Sequence, residues 1–174
     1  MLVVAMTSLA LAGCGSSSRA STTNDTSARS NSTTSASCPA DNTKSFAKTK
    51  FVLHTGLAFG AFHRYLYKPF KAGTFKNGAV GRLRSFIEGG LAALFVKREI
   101  RIASEDVKAN PTLCKLLAKP TAKFGDLMGG LVNNLKAGNI TSIGAAEETL
   151  NTITSLAGGK DVNIREDATA SLNG

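Results

Sequence analysis

An all-α fold is predicted for this chain, as a small bundle or orthogonal array of four to five helices behind a disordered tether. Three observations lead to this prediction. Apolar residues recur at helical spacing from about residue 44 onward, and the alternating pattern of a half-buried strand is missing. Turn signals divide these apolar stretches at short intervals, which favours neighbouring helices with short connections. Residues 16–37 are mostly Ser and Thr without large apolar side chains, so burial cannot offset the entropy of ordering them.

The N-terminal sequence MLVVAMTSLALAGC is apolar and uncharged. It is shorter than the roughly 20 residues that span a bilayer, and it is typical of the apolar region of a secretory signal. Its last residues, Leu11-Ala12-Gly13-Cys14, resemble the lipobox of bacterial lipoproteins. This resemblance implies a signal peptide over 1–13, a lipid on the Cys14 thiol and a location on the extracytoplasmic face of the cell membrane. No basic residue precedes Arg19, which departs from the usual leader, and the alternative is an ordinary signal peptide with a coincidental cysteine.

The Ser- and Thr-rich segment that follows is interpreted as a flexible tether over residues 14–37. Its length predicts a mean separation of about 25 Å between the lipid and the folded domain. The folded domain is predicted over residues 38–159. A polar tail over 160–174 is expected to be loose, because tails of this kind have little to bury.

Two cysteines remain if Cys14 carries lipid, and an even remainder outside the cytoplasm predicts a disulfide between Cys38 and Cys114. Two free thiols or a bridge between chains are the alternatives. No Cys-x-x-Cys occurs and no histidine lies near either cysteine, so zinc and thioredoxin-like sites are not supported.

The first predicted helix runs from about Lys44 to Tyr67 and is ended by Pro69. Its middle is apolar on all sides, which favours a buried central helix. Gly56 and Gly60 form a pair of small residues one turn apart, which is expected to allow close approach of another helix.

The second helix is predicted from Asn77 to about Ser104, with Gly89-Gly90 as a kink or tight crossing. Its expected core face is made of Val80, Leu83, Ile87, Leu91 and Leu94, and Phe86, Ala93 and Ile100 are expected to widen it.

Three further helices complete the predicted domain. A short one follows Asn110-Pro111, and a fourth begins at Pro120 and ends at Gly138. A fifth runs from Thr141 or Ser142 to Ala157 and is stopped by Gly158-Gly159.

Positive charge is concentrated in one part of the chain. The formal net charge is +9, and no acidic residue lies between Asp41 and Glu88. This interval indicates either a solvated surface or attraction to an anionic surface, such as phospholipid headgroups or cell-wall polymer. No nucleic-acid motif is present, so nucleic acid is not an expected partner. The candidate contact residues are Lys44, Lys48, Lys50, Arg64, Lys68, Lys71, Lys76, Arg82 and Arg84.

Candidate chemistry is restricted to His54, His63 and Glu88. The two histidines are nine residues apart on one predicted helix, about 13 Å along its axis, so they cannot share a metal ion. A polar cluster of His63 with Arg64, Tyr67 and Glu88 would suit acid–base chemistry. In the alternative, both histidines are packing residues and Glu88 pairs with Arg84 one turn earlier. No catalytic, metal or cofactor motif is predicted.

Three classes of function therefore remain at this point. The first is a structural or interaction module of the cell envelope that acts through a basic face. The second is a carrier of a small hydrophobic ligand, and the third is an enzyme that uses the polar cluster. A carrier would need an apolar gap, and the residues expected to line it are Phe46, Phe51, Phe59 and Phe62.

Overall fold

The computed structural model describes residues 37–172, and within this range the chain is helical without strands. The predicted signal peptide, Cys14 and all but the last residue of the predicted tether lie outside the described residues. The all-α prediction is confirmed for the domain. Its elements are α1 (Ala47–Phe62), a π-helical turn (His63–Tyr67), α2 (Lys68–Ala72), α3 (Arg82–Ala109), α4 (Pro111–Lys136) and α5 (Ser142–Gly158).

The core forms where α1, α3 and α4 meet. Helix α3 packs against both α1 and α4, and α5 packs against α4 and reaches the π-helical turn. Fully buried aromatic rings join α1 to α4, since Phe59 and Phe62 contact Phe124 edge-on at centroid distances of 5.6 and 5.8 Å. Edge-on contact suits aromatic rings, because the positive edge of one faces the negative face of the other.

The first helical segment does not end at Pro69, as the sequence predicted, but continues to Ala72. The π-helical turn accounts for this continuation. The Lys68 N–H donates to the carbonyl of His63, five residues back, instead of the usual four. This change of register directly before Pro69 lets the segment accept a residue that has no N–H.

The predicted core face of α3 is wrong in its five main residues, which are exposed by 52% to 97% on α3 and in the loop before it. Ala93 and Ile100, which were expected to widen that face, are buried. The buried face instead consists mainly of small residues, which allow α1 and α4 to approach closely. Gly89 makes a separate close contact, because an added Cβ would lie 3.2 Å from Leu66 in the π-helical turn and 3.3 Å from Phe75 in the loop after α2. That buried face is Gly89, Ala92, Ala93, Val96, Ile100, Ala103 and Val107.

The predicted third and fourth helices are one helix, α4, which contains Pro120 in its interior. A proline inside a helix costs about 3 kcal/mol. The apolar stripe on either side of Pro120 stays in register on one face, so its burial outweighs this cost. The predicted N-cap is confirmed, because the Asn110 side chain accepts a hydrogen bond from Leu113 N at 2.9 Å. The buried stripe is Leu113, Leu117, Phe124, Met128, Leu131 and Leu135.

Helix α5 matches its prediction, but the C-terminal tail is not loose. We call residues 160–172 the C-terminal strap. Val162 and Ala170 are buried in the core, and Asp167 N donates to the carbonyl of Gly56 at 3.0 Å. A Cβ at Gly60 would lie 1.9 Å from the Asp167 carbonyl oxygen. The two glycines of α1 therefore accommodate the strap rather than a helix.

The predicted disulfide is present and connects Cys38 to Cys114, with a Cα–Cα distance of 5.6 Å. Hydrogen bonds hold the same N-terminal segment against the corner between α3 and α4. Thr43 N donates to Ala109 O at 2.9 Å, and Asn110 donates to the Asn42 side chain. Separately, no helix within residues 37–172 has the length and apolar character needed to cross a membrane.

Candidate functional site

His63 is held between two carboxylates and not beside Glu88, as the cluster hypothesis required. Its Nε2 lies 2.7 Å from Glu147 on α5, and its Nδ1 lies 2.8 Å from Glu166 on the C-terminal strap. The ring also contacts Tyr67 edge-on at 5.5 Å. The two contacts connect three elements, namely the π-helical turn, α5 and the C-terminal strap.

His54 belongs to a separate pair farther along α1. Its Nδ1 lies 2.7 Å from Oε2 of Glu99, a buried carboxylate on α3. Both histidines are thus hydrogen-bonded packing residues, as the alternative interpretation expected. Their acidic partners could not be found from the sequence, because they lie 45 and 84 residues away from His54 and His63.

Glu88 pairs with Arg84 one turn earlier on α3, with 2.7 Å between Oε1 and Nε. The hydrogen bond that Arg84 donates to Glu88, and then the charge of Glu88, raise the pKa of Arg84. An exposed pair of this kind contributes little to stability. The predicted cluster of His63, Arg64, Tyr67 and Glu88 therefore does not form, although Tyr67 does contact His63.

The nine basic candidates fall into two groups along the chain. Lys44, Lys48 and Lys50 lie at the start of α1 and are exposed. The remaining six begin at Arg64, about 20 Å farther along the helix axis, and extend through the loop after α2 into α3. Arg82 differs from the others, since it is half-buried and donates to Phe75 O at 3.2 Å. Its guanidinium also lies over the Phe86 ring, 4.8 Å from the centroid.

The phenylalanines expected to line a ligand gap do not line one together. Phe51, Phe59 and Phe62 are fully buried and fill the core, whereas Phe46 is exposed at the N-terminal cap of α1. The expected apolar gap is therefore absent at these phenylalanines, although an apolar depression occurs elsewhere on the described part of the domain.

An apolar groove lies between the first half of α3 and the end of α4. Five large apolar residues of α3 and the loop before it are exposed, and we call them the apolar strip: Val80, Leu83, Ile87, Leu91 and Leu94. The last four of them form one wall of a depression of about 690 Å³, which we call the α3–α4 groove. Its other lining residues are Arg82, Phe86, Gly90, Val132, Leu135, Lys136, Ala137 and Gly138.

The charged side chains that line the groove are all positive. Arg82 lies at the start of α3 and Lys136 at the end of α4, and no carboxylate is among the lining residues. Glu88 is the nearest acid in sequence, and Arg84 already pairs with it. The groove thus combines an apolar floor with a basic rim. Sequence analysis named every residue of the strip but expected these residues in the core.

A second, smaller depression of about 250 Å³ lies between α3 and α4 near Thr121 and is lined by charged residues of both signs. Within residues 37–172 no group of three or more His, Cys, Asp or Glu is placed to hold a metal ion. The chain matches no protein-family model, no curated protein and no solved structure.

Proposed function

We propose that this protein is a bacterial lipoprotein, anchored through Cys14 on the extracytoplasmic face of the cell membrane, whose helical domain is an interaction module. The observation that carries the second part is the exposure of the apolar strip beside a groove. Soluble domains seldom leave contiguous large apolar side chains in water, and such patches mark binding surfaces. The contact surface is therefore the α3–α4 groove with its basic rim.

Two features support the location. The Leu11-Ala12-Gly13-Cys14 sequence resembles a lipobox, and the Cys38–Cys114 disulfide is typical of oxidising compartments. Pairing of Cys38 with Cys114 also leaves Cys14 as the one cysteine of the three that needs another explanation. Lipidation supplies that explanation, and two or more acyl chains are enough for stable anchoring.

Metabolic labelling with a fatty-acid analogue tests the anchor. The wild-type chain, expressed in a bacterium, is expected to incorporate the label and to fractionate with membranes, and Cys14→Ser is expected to lose both properties. A version with two lysines inserted after Met1 supplies the basic start that lipoprotein leaders carry. Absence of label from the wild type and from this version would contradict the anchor.

The second candidate function is binding of a small hydrophobic ligand in the same groove. The observation that favours it is the volume of about 690 Å³ with a mainly apolar lining, which is within the usual range for small-molecule sites. Native mass spectrometry of the purified protein tests this candidate. A co-purifying ligand that Leu91→Glu abolishes would support it, and a bare protein would count against it.

A further inference from the structure

We propose that the α3–α4 groove and the apolar strip are the surface through which the domain docks on an anionic phospholipid bilayer. This inference deepens the interaction role proposed above and rests on it. The strip extends about 16 Å along α3 from Leu83 to Leu94, and Val80 precedes it in the adjoining loop. A helix face of this kind can bury its apolar side chains at the boundary between headgroups and acyl chains.

The two charged residues that line the groove favour a negatively charged occupant. Arg82 and Lys136 line it, and Lys76 is exposed in the loop that leads to α3. A second copy of this chain would present the same positive groups across a two-fold interface, where they would repel. Phospholipid headgroups of anionic lipids have the complementary charge and attract basic residues near the surface.

The shape of the strip and the position of Cys14 favour a bilayer over an acidic helix from a partner protein. Val80, the most exposed member of the strip, lies in the loop before α3 and outside the groove, so a helix seated in the groove would leave it uncovered. Only 22 residues, 15–36, separate Cys14 from the first described residue. This length keeps a lipid-anchored domain within about 80 Å of the bilayer. A tether of that reach gives the membrane a high effective concentration, which adds to the affinity of the docking surface itself.

Single tryptophans test the orientation on vesicles, because the chain contains none. The full chain with Cys14→Ser would carry either Leu91→Trp in the strip or Leu53→Trp on α1. These positions form a matched pair, with exposed fractions of 54% and 58%. Vesicles of phosphatidylglycerol and phosphatidylcholine in equal parts are expected to shift Leu91→Trp emission to the blue. Brominated acyl chains should quench this variant several-fold more strongly than Leu53→Trp.

Charge reversal provides an independent measurement. Lys136→Glu, at the groove, is expected to weaken binding to the anionic vesicles by about tenfold or more. Lys119→Glu is the control, because Lys119 is an exposed lysine of the same helix outside the groove. It changes the net charge equally and should weaken binding much less. Vesicles of phosphatidylcholine alone are expected to bind weakly.

Three results would overturn the proposal. One is the same emission from Leu91→Trp and Leu53→Trp on anionic vesicles, and another is equal loss of binding in the two lysine variants. The third is Leu91→Trp emission that does not change with vesicles but shifts when a synthetic acidic amphipathic peptide is added. That result would assign the groove to a protein partner. Because Cys14→Ser is present in every sample, none of these results depends on whether Cys14 carries lipid.

Discussion

The contact between the C-terminal strap and α1 predicts an unusual response to Gly60→Ala. Replacing glycine by alanine inside a helix normally stabilises it by about 1 kcal/mol. At Gly60 the new Cβ would lie 1.9 Å from the carbonyl oxygen of Asp167 and 2.7 Å from its carbonyl carbon. Ordinary contact begins near 3.4 Å, so the strap backbone must retreat by about 1.5 Å.

The expected cost follows from what that retreat breaks. The Asp167 N–H bond to Gly56 O contributes about 1 kcal/mol. Forcing extra volume into a packed site costs about 1–3 kcal/mol, and Ala170 nearby in the strap loses part of its burial. After the gain in helix propensity is subtracted, Gly60→Ala should be less stable than the wild type by about 1–3 kcal/mol.

Urea unfolding followed by circular dichroism at the helical band measures this difference. The matched control is Gly130→Ala in α4, where an added Cβ meets no atom within 4 Å. We expect the control to be more stable than the wild type by about 0.5–1 kcal/mol. Trypsin should also cleave after Arg165 faster in Gly60→Ala than in the control. If Gly60→Ala were as stable as Gly130→Ala, the strap would not pack closely against Gly60. That result would refute the predicted clash with Asp167.

Two further predictions concern the disulfide and the acid response of the strap. Replacing both Cys38 and Cys114 by Ser opens a link across 76 residues and should lower the free energy of unfolding by up to about 4 kcal/mol; an unchanged urea midpoint would contradict this. Hydrogen bonds from the Thr169 hydroxyl, and then from its backbone, lower the pKa of Asp167 from its ordinary value of 3.8. The wild type should therefore be more stable than Asp167→Asn above about pH 3.8. This difference in stability should disappear as the pH falls through the lowered pKa of Asp167. A difference between their unfolding curves that does not change with pH would refute the stabilising role of the Asp167 carboxylate.

Much of the fold could be predicted because its signals are local. The spacing of apolar residues predicts the helical class, and α5 matches its prediction almost to the residue. The Asn110 cap and the Cys38–Cys114 pair also follow from residue type and position. The partners of the two histidines could not be predicted from the sequence. They are Glu99, Glu147 and Glu166, which lie on segments far from the histidines in the chain.

Periodicity and cysteine number are properties of the chain alone. They were enough to predict the helical class and, on the premise that Cys14 carries lipid, the pairing of Cys38 with Cys114. The choice of the buried face of α3, by contrast, depends on the packing of the whole domain. The larger side chains predicted one face, but α3 buries the other, from Gly89 to Val107, where it packs against α1 and α4. Dense packing depends on how the side chains of α1, α3 and α4 fit together. Because this fit buries the other face of α3, the apolar strip stays exposed to solvent and is the candidate binding surface.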